Sequence, residues 1–362
     1  MSKPILGITM GDPFGNGPEI TVRALNDKTV YDRCRPLVVG DMTSMAYALK
    51  VAKKVLGIDL ALNPVKDVKD AKFTYGTIDV LDMGLVPADK IPDTSDLDEP
   101  KPFGVGTCAL GGEASFQYVK KVIELAMAGE VDATITNALS KEAINMAGHH
   151  YSGHTEIYAD YTHTDKYTMM LAHEDLRVVH VSTHVSLREA CDRATKARVL
   201  EVIGIADKAC RDMGIPHPCI GVSGLNPHCG EGGLFGREEI EQIAPAVEAA
   251  RQQGIDAQGP IPPDTIFSKA LGGWYDMVVA MYHDQGHIPL KVVGFVYDRE
   301  KGQWSAVEGV NITLGLPIIR TSVDHGTAFD QAGTGKANEL SLKNAIDYAI
   351  RFAANRTGKT VE

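Results

Sequence analysis

The sequence predicts a two-domain α/β fold whose largely parallel sheets are covered on both faces by helices. Three observations predict it. The chain has 362 residues, which at about 100–200 residues per domain corresponds to two domains. Short β-rich runs alternate with longer helical stretches along the chain, the pattern of βαβ units. With 44% hydrophobic and 23% charged residues, the composition is that of an ordinary globular protein.

The strands expected are ILGITM (5–10), PLVVGD (36–41), DATITN (132–137), RVVHVST (177–183), CIGVSGL (219–225), DMVVAMY (276–282) and PIIRTS (317–322). Each is a short apolar run rich in Val, Ile or Thr. The helices expected are 18–26, 43–55, 112–129, 186–214 as two helices, 237–254 and 341–356, where apolar residues recur at three- and four-residue spacing. The Pro- and Asp-rich stretch 87–104 reads as a surface loop and is the best linker candidate.

Charge and cysteine content exclude several classes. Asp and Glu number 47 against 36 Lys and Arg, a net charge of −11. A nucleic-acid binder or a protein docking on anionic lipid needs the opposite balance. The start MSKPILGITMGDP lacks a secretory pattern, and no apolar run approaches the ~20 residues of a membrane span, so a cytoplasmic enzyme with no membrane partner is expected. Cys34, Cys108, Cys191, Cys210, Cys219 and Cys229 form no C-x-x-C pair, so free thiols are expected and a cysteine-based zinc site is not.

Six strand ends carry residues that do chemistry. ITM runs into Gly11-Asp12-Pro13, TITN is followed by Ser140-Lys141, and HVST runs into His184. VSGL leads to Asn226-Pro227-His228, VAMY to His283-Asp284-Gln285, and IIRTS to Asp324-His325-Gly326. Open α/β sheets bind ligands beyond the carboxyl ends of their strands, so these termini are expected to line one cleft.

His184, His228 and His283 share that strand-end position, about one βαβ unit apart. Three neutral imidazoles with open positions for substrate suit Zn²⁺, Co²⁺ or another borderline divalent ion. Any one of them alone is an ordinary hydrogen-bonded loop histidine, and His180, inside its strand, reads as a core residue. The loop Gly11–Glu19 opens a helix and can present amides to an anion, but it is not G-x-G-x-x-G. In Gly153-His154-Thr155-Glu156, His and Thr can both hydrogen-bond a phosphate or carboxylate. Lys291, Asn311 and Arg320, in or beside late strands, suggest an anionic substrate. There is no P-loop, no H-E-x-x-H and no G-x-S-x-G, which argues against NTPase, zincin and α/β-hydrolase chemistry.

In order along the chain, GDPFGNGPE, GHTE, HVSTH, GLNPHCGEGGLFG, GPIPPDTIF, MYHDQGHIPLK and VNITLGLPIIRTSVDHGTAFDQAG resemble the 4-hydroxythreonine-4-phosphate dehydrogenase family. The likeness runs from Ile5 to about Gly335. VVHVSTHVSLREACD, VLEVIGIADKA and PPDTIF look most like the branch of D-threonate and D-erythronate 4-phosphate dehydrogenases.

The resemblance implies an isocitrate/isopropylmalate dehydrogenase-like fold, two α/β/α domains around a central cleft. It implies a cofactor domain of residues 1–147 with 318–362, and a metal, substrate and dimerisation domain of 148–317. A homodimer with its site near the interface is implied too. Residue by residue, His184, His228 and His283 would hold one divalent metal (Zn, Co, Mg or Mn). His154, Thr155, Lys291, Asn311 and Arg320 would bind substrate, and NAD would lie against His325, Gly326, Thr327 and Ala328. Lys291, Asp264 and Asp284 are the candidate catalytic acid–base groups.

The implied reaction is oxidation of a 4-phosphorylated 3-hydroxy acid with loss of CO₂, giving dihydroxyacetone phosphate from D-threonate or D-erythronate 4-phosphate. Alternatives are 4-hydroxythreonine 4-phosphate, an aromatic cis-dihydrodiol carboxylate, and a metal-binding protein without turnover. Three departures from the family pattern stand out. Ala138-Leu139-Ser140-Lys141 replaces a Pro-Ile/Leu-Asn-Lys run, Gly15-Asn16-Gly17 replaces Gly-Ile-Gly, and FVYDREKGQWSAVEG (295–309) is longer than usual and looks like an extended hairpin or lid.

Overall fold

The computed structural model describes residues 3–92, 102–300, 303–307 and 309–357. The chain divides into two compact units, Met1–His163 with Pro317–Glu362, and Thr164–Leu316. The first boundary falls after 163 rather than after the expected 147. The reason is local: the Tyr158 hydroxyl, in the helix that follows Gly153, donates to Thr134 Oγ1 at 3.0 Å and ties that helix to the first unit's sheet.

In chain order the first unit contains β1 (Ile5–Thr9), α1 (Gly17–Leu25), α2 (Lys28–Arg33), β2 (Arg35–Gly40), α3 (Met42–Leu56), β3 (Ala61–Val65), β4 (Thr77–Asp82), α4 (Ala109–Met127), β5 (Ala133–Thr136), α5 (Lys141–Met146) and α6 (His154–Tyr161). The second contains β6 (Thr168–His173), β7 (Leu176–His180), α7 (Leu187–Arg193), α8 (Lys196–Asp212), β8 (Cys219–Ser223), α9 (Ala244–Gln252), β9 (Asp256–Ile261), α10 (Pro263–Leu271), β10 (Met277–Ala280), α11 (His283–Gly294), β11 (Phe295–Asp298), β12 (Gln303–Val307) and β13 (Val310–Leu314). β14 (Arg320–Val323) and α12 (Leu340–Thr357) return to the first unit.

The first unit's strands run β3-β4-β2-β1-β5-β14, each pair parallel. A parallel sheet covered on both faces is buried throughout, and β5 and β14 show it, with every residue buried. α4 lies close on β1: a methyl group at Gly7 would stand 2.6 Å from Val122 Cγ2. Val119, Val122 and Ile123 bury one face of that helix, each contributing about 1.5–3 kcal/mol relative to exposure.

The second unit's strands run β13-β6-β7-β10-β8-β9. β7, β10, β8 and β9 pair in parallel, while β13 with β6 and β6 with β7 are antiparallel. Leu171, Val178, Ile266, Val278 and Leu290 form its core. The expected pair of helices in 186–214 is α7 and α8, divided where the Thr195 hydroxyl accepts from the Arg198 amide at 3.3 Å.

One expectation changes. Both flanks of 87–104 belong to the first unit, so the stretch is not a linker between units. The Phe103 amide donates to Ala332 O at 2.9 Å, and its ring meets Phe14 edge-on; residues 93–101 lie outside the described residues. Within 295–309, β11 and β12 pair antiparallel, as in the expected hairpin, with a register shift between Val296 and Tyr297; residues 301, 302 and 308 lie outside the described residues.

Candidate functional site

β7, β10 and β8 are adjacent parallel strands, and their carboxyl ends lead to His184, His283 and His228 respectively. His184 and His283 come together, ring centroids 5.7 Å apart. They line a cavity of about 540 Å³ with Thr183, Ser186, Glu189 and Tyr282. His283 Nδ1 donates to Asp284 Oδ1 at 2.6 Å, which fixes the tautomer and leaves Nε2 as the lone-pair nitrogen.

Behind this pair stand two further histidines that sequence reading did not place in the site. His287, one turn along α11, stacks on His283 at 3.6 Å and donates Nδ1–H to the His283 carbonyl at 2.9 Å. Burial and the neighbouring His283 push its pKa down to about 4. His180 is fully buried; it donates Nδ1–H to Met169 O at 3.3 Å, and burial and the His287 ring push it down to about 3. Its Nε2 faces Gly286, where a methyl group would stand 2.4 Å away. That contact is the physical reason for glycine in the HDQGH run.

His228 sits on the Pro227–Gly233 turn in left-handed backbone (φ 51), as do Cys229 (φ 57) and Glu231 (φ 44). Such residues cost about 1–2 kcal/mol each and persist only where the surroundings hold them. Buried Glu239 does so: its Oε1 accepts from the Leu225 and Asn226 amides at 2.8 and 2.7 Å, and its Oε2 from Asn226 Nδ2 at 2.9 Å. The His228 side chain, 65% exposed, has Nδ1 3.4 Å from Glu231 Oε2. Asp264, in the first turn of α10, lies near the same turn: burial first, then the Glu239 and Asp264 carboxylates, push the Cys229 thiol up to about 11.

The donor chemistry fits a divalent ion. His283 and His228 each present an imidazole whose Nδ1 faces a carboxylate, the arrangement that orients metal-binding histidines. In this conformation the structure brings His184 and His283 together without gathering three metal-ligating side chains into one group among the described residues. Lys291 is exposed on α11, its Nζ 5.3 Å from the Phe295 ring centroid. Asn311 Nδ2, on β13, lies 3.0 Å from Met169 Sδ, and its Oδ1 is buried without a partner.

In the first unit, the ends of β1, β5 and β14 meet. The Asp12 amide donates to Ala138 O at 2.9 Å, and the Asn16 amide to Thr327 O at 2.8 Å. The turn from Asp12 to Asn16 thus packs against His325–Ala328. Ala328 is left-handed (φ 44). His325 donates Nδ1–H to Gly326 O at 2.9 Å; its Nε2 is buried without a partner, and burial, against that hydrogen bond, holds the ring's pKa below its ordinary value. Glu19, buried in α1, accepts from the Gly333 and Gly335 amides, the latter at 2.7 Å. It clamps the segment that follows the 325–328 loop, a role the GNGPE motif did not disclose.

Arg320 at the start of β14 is 2% exposed. Its Nη2 donates to Thr136 Oγ1 at 2.8 Å, its guanidinium lies over the Tyr158 ring, and burial pushes its pKa down to about 10. His154 and Thr155 open α6. His154 Nε2 is buried without a hydrogen-bond partner, and burial, then the charges of Arg320 and Lys141, hold the ring well below its ordinary pKa. The first unit therefore gathers His154 and Arg320, and adds Lys141, while Lys291, Asn311 and the three candidate metal ligands belong to the second.

The comparisons agree with this architecture. The chain is 45% identical over 354 residues to a D-threonate 4-phosphate dehydrogenase of Cupriavidus necator, covering 98% of each chain. It is 45% identical to a D-threonate 4-phosphate dehydrogenase of Salmonella typhimurium, covering 98% of this chain and all of that one. A crystal structure of 4-hydroxythreonine-4-phosphate dehydrogenase from Klebsiella pneumoniae superposes with a TM-score of 0.82 at 41% identity, over 97% of this chain and 98% of that one. Residues 32–349 match the family described as pyridoxal phosphate biosynthetic protein PdxA, and the chain belongs to that family.

Proposed function

We propose that this protein is a metal- and NAD-dependent dehydrogenase. Its substrate is a 4-phosphorylated 3-hydroxy acid, D-threonate or D-erythronate 4-phosphate, and the product after loss of CO₂ is dihydroxyacetone phosphate. The observation that carries the reading is the pair His184 and His283 on the wall of a cavity, in a chain whose 45%-identical relatives are named for D-threonate 4-phosphate. The metal domain is the second unit and the NAD domain the first.

His184, His228 and His283 would hold the ion, which supplies Lewis acidity at the C3 oxygen when bound. His325, Gly326, Thr327 and Ala328 would hold NAD, which when bound would supply the acceptor for the C3 hydride. The protein's own groups do the rest. Asp284 keeps His283 in the tautomer that presents Nε2, so it serves orientation. That leaves Lys291 and Asp264 to take the hydroxyl proton. Loss of that proton and of the hydride leaves a 3-keto acid. The carboxylate then departs as CO₂, and a proton returns to C2. Arg320, His154, Thr155 and Asn311 bind the anionic ends of the substrate.

Ile288 and Val292, exposed one turn apart on α11, support a homodimer that covers this face beside the site; light scattering should give twice the mass of one chain. Among the described residues no helix is long and apolar enough to cross a membrane. The decisive assay is NADH formation with D-threonate, D-erythronate and hydroxythreonine 4-phosphates and a cis-dihydrodiol carboxylate, each with NAD⁺ and NADP⁺. Turnover of the two phosphorylated sugar acids with NAD⁺, and of the others weakly or not at all, is the expected result.

A further inference from the structure

Lys141 is the first residue of α5. The preceding Ser140 spends its hydroxyl on the helix: Oγ accepts from the Ala143 amide at 3.1 Å. The serine that departs from the family's usual asparagine is thus a helix cap, and the side chain that leaves this corner with a charge is Lys141.

Three observations say where that charge acts. Gly153, just before His154, has φ 157, and a methyl group there would stand 3.6 Å from Lys141 Cε. The lysine stem therefore runs within van der Waals reach of the entry of α6. His154 beside it keeps a buried ring nitrogen, Nε2, with no hydrogen-bond partner. Arg320 bears on the same imidazole, and the two cations, after burial, keep that ring uncharged. Glu156 shares the corner, its Oε2 3.8 Å from the same methyl position, and its charge also acts on Arg320. One carboxylate offsets only one of the two cations. A neutral imidazole with an open nitrogen, on which two cations act, is the complement of an oxyanion: the ring contributes a hydrogen bond and the two side chains contribute charge.

From this geometry we infer that Lys141 is a substrate-binding residue, which together with His154 and Arg320 forms the receptor for the phosphate group of the substrate. The inference rests on the proposed phosphorylated substrate. Lysine suits the task because a flexible stem lets a point charge follow a phosphate, while buried Arg320 fixes the floor.

The test measures binding of inorganic phosphate, by calorimetry on the full-length protein, to the wild type, Lys141→Gln and Lys141→Arg. Lys141 is exposed, so these changes should leave the melting temperature in place. Loss of one charge-assisted hydrogen bond should weaken phosphate about tenfold or more in Lys141→Gln. Lys141→Arg should bind within a few-fold of the wild type. In the phosphorylated-acid assay, Lys141→Gln should raise KM more than it lowers kcat. Equal phosphate affinity in the wild type and Lys141→Gln overturns the role of Lys141 and leaves the phosphorylated substrate standing. A wild type that binds no phosphate overturns both.

Discussion

Gln285 Nε2 donates to the Gly224 carbonyl at 2.9 Å, while its Oε1 accepts from the Met281 amide at 2.7 Å. One buried amide thus joins the end of β8 to the end of β10, just before the segments that carry His228 and His283. Gln285→Ala would leave a buried donor and acceptor unmatched, at about 1–3 kcal/mol each. Thermal unfolding should shift down by several degrees, and Co²⁺ or Zn²⁺ affinity measured by calorimetry should fall. A variant with unchanged metal affinity would show that this tie does not position the ligands.

The three-histidine assignment predicts joint loss of metal and activity. His228→Ala, His184→Ala or His283→Ala should each lower bound metal, measured by elemental analysis after dialysis, together with kcat, because three ligands leave no redundancy. The exposed His228 is the most informative, since its replacement disturbs no core. Full metal content in His228→Ala would remove it from the set.

Asp12 is 1% exposed and its pKa is raised to about 6 by burial, against one opposing bond from the Phe14 amide. Its folded-state pKa lies above the unfolded value of 3.8, so the native state binds the proton more tightly. Stability linked to this group is highest below about pH 4 and declines as pH rises through about 6, by about 2–3 kcal/mol in total. Asp12→Asn removes that penalty. Its melting temperature should exceed the wild type's at pH 7–8, with the difference vanishing near pH 4. An equal shift at both pH values would mean the carboxylate is ionised without penalty.

Thr155 stands beside His154 at the start of α6. If its hydroxyl serves the phosphate, Thr155→Ala should cost about 10–100-fold in kcat/KM, the worth of one hydrogen bond to a charged group. Inorganic phosphate should compete with substrate in the wild type. A silent Thr155→Ala combined with no phosphate inhibition would point to a non-phosphorylated acid.

The central strands were legible because buried parallel strands are unbroken apolar runs, and the residues after them are where such sheets bind ligands. That logic picked out His184 and His283, which the fold brings together, and the turn at Asp12 that meets the 325–328 loop. β3 was missed because it is an edge strand carrying Pro64, with most of its residues not fully buried. α11 was missed because Gly286 and Pro289 read as loop residues. Gln285, Glu19 and Glu239 were missed for another reason. Their partners are main-chain amides and carbonyls, and a sequence shows the side chain but not the backbone it will meet. Lys141 was visible as a strand-end residue, but only its placement beside Gly153 and His154 in the fold separates it from an ordinary surface lysine.

The most direct test of the account is NADH formation from D-threonate 4-phosphate by the metal-loaded protein, with dihydroxyacetone phosphate quantified in the same reaction. The account predicts NADH and dihydroxyacetone phosphate in equal amounts, abolished by chelator and restored by a divalent ion. NADH from the dihydrodiol carboxylate, with none from any 4-phosphorylated acid, would contradict it.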